Sequence, residues 1–105
     1  MTALMFASQV GCAGCIRLLV QARAEVDVVE DDRWTALHFA AQECHAQACM
    51  VLMKHRADPL VRNVYDETPI DLATREDLDF AEQLKYMQQL QHMGDDFDNA
   101  FVKSL

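Results

Sequence analysis

One six-residue phrase occurs three times at a fixed interval in this chain. Thr35-Ala36-Leu37-His38-Phe39-Ala40 returns upstream as Thr2-Ala3-Leu4-Met5-Phe6-Ala7 and downstream as Thr68-Pro69-Ile70-Asp71-Leu72-Ala73, each copy 33 residues from the next. A period of this size marks supersecondary units that cannot bury an apolar face alone and must stack on one another. A length of 105 residues holds three such units around one modest core.

Helix signals recur in step with the phrase. Thr2 is placed to cap a helix from Ala3 to about Gln9, Gly11 to Gly14 form a turn, and Cys15, Leu18, Leu19 and Ala22 then follow the i, i+3, i+4, i+7 rule of a helix with one buried face. In the middle copy Thr35 caps the first helix, and a second, Gln47 to about His55, buries Ala48, Val51 and Leu52. Thr68-Pro69 combines a cap with proline in the first turn, and that helix ends near Arg75 to Asp77. A long helix follows from Asp79 to about Met93. Its Phe80, Leu84 and Met87 dock on the preceding unit, while Tyr86, Leu90 and Met93 turn away from that face. Gly94 is expected to stop it, and the polar tail with Phe97 and Phe101 either folds back as a short helix or stays disordered.

The phrase and its period resemble the ankyrin repeat, whose units of about 33 residues carry a Thr-Pro-Leu-His-x-Ala signature. The second copy fits best, from Thr35-Ala36-Leu37-His38 through Val51-Leu52 to Arg56-Ala57-Asp58; Leu18-Leu19 and Arg23-Ala24-Glu25 stand at the matching distances in the first. The resemblance implies an all-α solenoid of helix-turn-helix units joined by short β-hairpin fingers and closed by the long C-terminal helix. The units cover about 2–31, 32–64 and 65–93, with 94–105 as a tail and the whole as a single domain. The first unit lacks the residues that precede its threonine in the family, so its upstream face is expected to be bare. Either the chain was cut from a longer array or another molecule covers that face. Two departures stand out. Arg23 and Arg56 occupy the place after the second helix where the family has glycine, which implies local strain or an altered turn. Arg33-Trp34 replaces the glycine usual before the threonine.

Charge and composition narrow the function. Hydrophobic residues make up 51% and charged residues 25% of the chain, a globular composition. The net charge is −8, of which residues 1–62 carry −1 and residues 63–105 carry −7. No basic patch exists to neutralise phosphates, so nucleic acid is excluded as a partner. The acidic end is either a solvated face or an electrostatic guide for a protein with a basic patch. No apolar run is long enough to span a bilayer, and no membrane partner is expected. Cys12, Cys15, Cys44 and Cys49 read as reduced thiols packed like small hydrophobes, which suits an intracellular protein, cytoplasmic or nuclear. Cys12-x-x-Cys15 with Cys44-His45 has the local spacing of zinc ligands but reads as packing. No metal, no cofactor and no catalytic residue is expected: the chain has no glycine-rich phosphate loop, no His-Glu-x-x-His and no nucleophile elbow. His38 reads as a structural histidine bonded to the threonine and nearby backbone.

What the resemblance implies is non-enzymatic protein recognition through the concave surface and the fingers. The matching positions are Phe6 and Gln9 in the first unit; Arg33, Trp34, Ala36, Phe39, Gln42 and Glu43 in the second; and Asp66, Glu67, Leu72, Arg75 and Glu76 in the third. Trp34, Phe39 and Phe6 could form an aromatic anchor flanked by Arg33, or the two phenylalanines could be partly buried between units. Two alternatives stay open: a regulatory or targeting domain of a larger protein, an enzyme for instance, and a homo-oligomer formed through the uncapped first unit.

Overall fold

In the computed structural model the described residues are 1–91, and they form six helices. These are α1 (Ala3–Val10), α2 (Ala13–Gln21), α3 (Ala36–Gln42), α4 (Ala46–Lys54), α5 (Pro69–Glu76) and α6 (Leu78–Gln91). They pair as antiparallel hairpins in two rows. The inner row runs α1, α3, α5, with α3 packed on both neighbours; the outer row runs α2, α4, α6, with α4 in the middle. This is the expected all-α solenoid. Met93, Gly94 and the tail, on which the helix stop and fold-back were expected, lie outside the described residues, as does the side chain of Leu90.

Each inner helix starts for the same reason. Thr2, Thr35 and Thr68 sit in extended backbone and their hydroxyls accept from the amide three residues on, at Met5, His38 and Asp71. In the second and third units the favour is returned: His38 and Asp71 accept from the backbone N–H of Thr35 and Thr68, closing a capping box. Ala7, Ala40 and Ala73 are all buried, since only a small side chain lets neighbouring inner helices approach. The predicted docking face of α6 is as expected, with Phe80, Leu84 and Met87 buried and Tyr86 exposed.

The backbone repeats as faithfully as the phrase. Positive φ occurs at Gly11 and Cys44 after the inner helices, at Arg23 and Arg56 after the outer ones, and at Arg33 and Asp66 in the fingers. Each pair is 33 residues apart. The arginines therefore keep the left-handed turn, with φ of 70° at both Arg23 and Arg56, and accept its steric cost of about 1–2 kcal/mol each. At Gly11 (φ 80°) space adds to torsion, because a Cβ there would lie 2.7 Å from the His45 ring.

The fingers are hairpin connections without assigned strands among the described residues. In the first, Glu30 N–H donates to the Trp34 carbonyl (3.1 Å) and Arg33 N–H to the Glu30 carbonyl (2.8 Å); Asn63, Asp66 and Glu67 repeat this pattern in the second. A turn closed by one left-handed residue is a common three-residue hairpin loop. The two finger tips are joined, with Val64 N–H donating to the Asp32 carbonyl at 2.9 Å.

One expectation about α2 fails. Cys15, Leu18 and Ala22 are exposed, Leu19 is half-buried, and the fully buried residue is Ile16. The repeat explains why. Positions 15 and 18 correspond to Ala48 and Val51 in α4 and to Ala81 and Leu84 in α6, which are 0–2% exposed because the preceding outer helix covers them. In α2 the same positions face upstream, and Leu18 is 69% exposed. The bare upstream face is thus present, as an apolar groove of about 410 Å³ lined by Phe6, Val10, Cys12, Cys15, Leu18 and Leu19 with small alanines.

Candidate protein-recognition surface

Trp34 is the centre of the aromatic arrangement. Its backbone N–H donates to Glu30 Oε1 at 2.9 Å, which fixes the base of the first finger. Its half-buried ring lies against Phe39, centroids 5.0 Å apart, and against His38 at 5.8 Å. Phe39 is half-buried on the following helical turn, and Arg33 stands exposed beside the pair with its backbone turned left-handed (φ 65°). An amphipathic indole held by its backbone and a second ring loses little freedom on contact with a partner.

Beneath this pair His38 ties two units together. Its Nε2 lies 2.9 Å from the Glu67 carbonyl and its Nδ1 3.1 Å from the Thr35 nitrogen. A carbonyl can only accept and an amide N–H can only donate, so the ring is the neutral tautomer with its proton on Nε2. Burial pushes the His38 pKa below the ordinary 6.5; the Glu67 and Val61 carbonyls and the Glu67 and Glu30 carboxylates pull weakly the other way. A neutral, doubly bonded, buried histidine is a strut, in keeping with its structural reading.

The third-unit residues are largely engaged with one another. Arg75 and Glu67 form an ion pair, and Asn63 Nδ2 donates to Glu67 Oε1 at 3.2 Å. Asp66 is 3.6 Å from the Arg62 guanidinium, which also donates to its carbonyl. Gln42 is half-buried and Glu43 exposed at the end of α3. Ala36 and Leu72, matched by position to the concave surface, are each 1% exposed and so present nothing to a partner. Phe6 is 60% exposed but lines the upstream groove, whereas the ring contacts of Trp34 are to Phe39 and His38. Asp77 Oδ1 accepts from the Asp79 and Phe80 amides and so caps α6.

Sequence reasoning overlooked the tip of the second finger, where Leu60, Val64 and Tyr65 are 52–67% exposed. The signal was available, as apolar residues beside the turn-forming Asn63 and Asp66. It also misjudged the cysteines. Cys12 and Cys15 are paired as a disulfide, while Cys44 and Cys49 are free thiols. The expectation of four packed thiols failed because Cys12 is the N-cap of α2 and Cys15 lies on its exposed first turn, with Cα atoms 5.3 Å apart, a separation suited to a bridge. Among the described residues no group of three or more His, Cys, Asp or Glu is arranged to hold a metal ion, and no helix is long and apolar enough to cross a membrane.

Known proteins bear the same stamp. Residues 4–96 match the family model for ankyrin repeats in three copies. The chain is 34% identical over 91 residues to protein phosphatase 1 regulatory subunit 12A of Rattus norvegicus, which covers 87% of this chain and 9% of that protein. It is 36% identical over 72 residues to neurogenic locus notch homolog protein 1 of Homo sapiens, covering 69% of this chain and 3% of that protein. To alpha-latrotoxin-Lhe1a of Latrodectus hesperus it is 34% identical over 74 residues, 69% of this chain and 5% of the toxin. The chain therefore spans less than a tenth of the length of these relatives. Three copies of one capped phrase, a matching backbone register and the family match across residues 4–96 lead to one conclusion: this chain belongs to the ankyrin-repeat family, whose repeats are protein–protein interaction modules.

Proposed function

We propose that this chain binds a partner protein, without catalysis of its own, through the edge formed by its fingers and inner helices, with Trp34 and Phe39 as the anchor. The observation that carries this reading is the half-buried Trp34, its ring against Phe39 and its backbone N–H held by Glu30 at the mouth of the first finger. Arg33 beside it and Glu43 and Gln42 beyond it supply the polar rim, and the joined second finger adds Val64 and Tyr65. Glu67 and Arg75 shape the margin through their ion pair, and Asp66 through its pair with Arg62, rather than as free charges. The acidic character of residues 63–105 favours a partner with a basic patch.

Affinity capture with the isolated chain, followed by titration of the captured protein, tests this. Trp34→Ala is expected to weaken binding by about 1–3 kcal/mol, the range of an interfacial hot spot, with helix content retained. Unchanged affinity, or a loss that tracks unfolding, sinks the reading.

A second reading is favoured by the apolar upstream groove and by the small share of each relative that the chain covers: this is the regulatory or targeting segment of a larger protein, and further chain packs on the groove. Native polypeptides no longer than this chain would argue against it. Self-association through the same face predicts a concentration-dependent dimer, and a monomer by sedimentation at high concentration removes it.

A further inference from the structure

The Cys12-Ala13-Gly14-Cys15 segment stands apart from the recognition surface. Cys12 is the N-cap of α2, a nine-residue helix, and its Sγ accepts from the Cys15 backbone N–H at 3.3 Å. The two sulfurs are paired, Cys15 is exposed, and Gly14 between them has open space where a side chain would stand. An amide donor and a helix N-terminus both favour the thiolate form of Cys12 once the pair is reduced. The other two cysteines differ. Cys49 is fully buried, and burial pushes its thiol far up; desolvation, reinforced by Asp77, Glu76 and Glu43, also raises Cys44.

We propose that Cys12 and Cys15 form a thiol–disulfide exchange site that is reversibly oxidised by low-molecular-weight disulfides, glutathione disulfide being the probe. The Cys12 thiolate attacks one sulfur of the disulfide, forming a mixed disulfide and expelling one thiolate. The Cys15 thiol gives its proton to solvent and attacks the Cys12 sulfur, expelling the second. The protein loses two electrons and two protons, and one disulfide becomes two thiols. A dithiol reductant runs the sequence backward. Both cysteines line the upstream groove, so exchange changes the wall of that apolar recess beside α1 and α2.

The full chain can be reduced, exposed to glutathione disulfide, alkylated and digested with trypsin. Residues 1–17 form one peptide holding Cys12 and Cys15, and residues 34–54 another holding Cys44 and Cys49. The expected result is a peptide 1–17 that loses two hydrogens and no longer alkylates, reverts with a dithiol, and forms roughly threefold or more faster in folded than in urea-unfolded chain. The peptide 34–54 stays alkylated at both cysteines. Cys15→Ser should take one stable glutathione adduct faster than Cys12→Ser does. The proposal is overturned if Cys12 and Cys15 remain thiols, if each carries its own glutathione, if the unfolded chain oxidises as fast, or if Cys44 reacts first.

Discussion

His38 and Arg56 are two residues whose energetics the fold fixes in opposite directions. His38 accepts from the Thr35 amide and donates to the Glu67 carbonyl from one buried ring; His38→Leu leaves the Thr35 amide without a partner, while the Glu67 carbonyl keeps its bond from the Asn63 N–H. The loss should be about 1–3 kcal/mol for the stranded amide, read as a drop in the urea midpoint; an unchanged midpoint would refute the strut role. Its depressed pKa sets a pH dependence as well. The unfolded chain takes up this proton at about the ordinary 6.5, and the folded chain only at lower pH. The contribution is complete above 6.5 and is lost as pH falls from there through the folded value, because the unfolded state then binds more protons. His38→Leu should flatten that part of the stability–pH curve. Arg56 works the other way, since its exposed side chain holds a left-handed backbone at φ 70°. Arg56→Gly removes about 1–2 kcal/mol of steric cost and adds about 0.4–1 kcal/mol of unfolded-state entropy, for a net gain of up to about 1.6 kcal/mol in chemical denaturation. A destabilised variant would show that the arginine is engaged in some other way.

At the scale of elements, what was readable was whatever local chemistry determines. The three threonine caps, Pro69 in the first turn of α5, and the Phe80, Leu84, Met87 face of α6 were all written in short spacings, and the helices start and dock accordingly. The buried face of α2 was not, because an apolar row on a helix says that something should cover it and not what does. Positions 15 and 18 are covered in the second and third units by the outer helix before them, and a count along α2 alone cannot supply that neighbour. The pairing of Cys12 with Cys15 escaped for a similar reason: an i, i+3 spacing suits two packed thiols, a metal pair or a bridge alike. At the candidate site the residue types were legible and their company was not. Trp34 and Phe39 met as expected, while Phe6 went to another face, and Ala36 and Leu72 went inside.

The described residues form a row in which each hairpin packs chiefly on the next, so stability is distributed along it rather than centred. α4 lies between α2 and α6, whereas α2 has one covered side and Ile16 as its one fully buried residue. Native-state hydrogen exchange should therefore open α2 well before α4; equal protection in the two helices would mean that the first unit does not end the row in solution. The left-handed residues at 11 and 44, 23 and 56, and 33 and 66 carry a further meaning. Glycine, cysteine, arginine and aspartate all serve at these bends, so the stack is forgiving about which residue turns the chain. It is far less forgiving about when. Removing a single residue from α4 ahead of Val51 would turn the rest of that helix by about 100°, carrying Val51 and Leu52 off the core face. A chain built this way can drift widely by substitution while its units stay locked to one length, and new recognition surfaces are reached by changing letters on the fingers, never by changing the count between them.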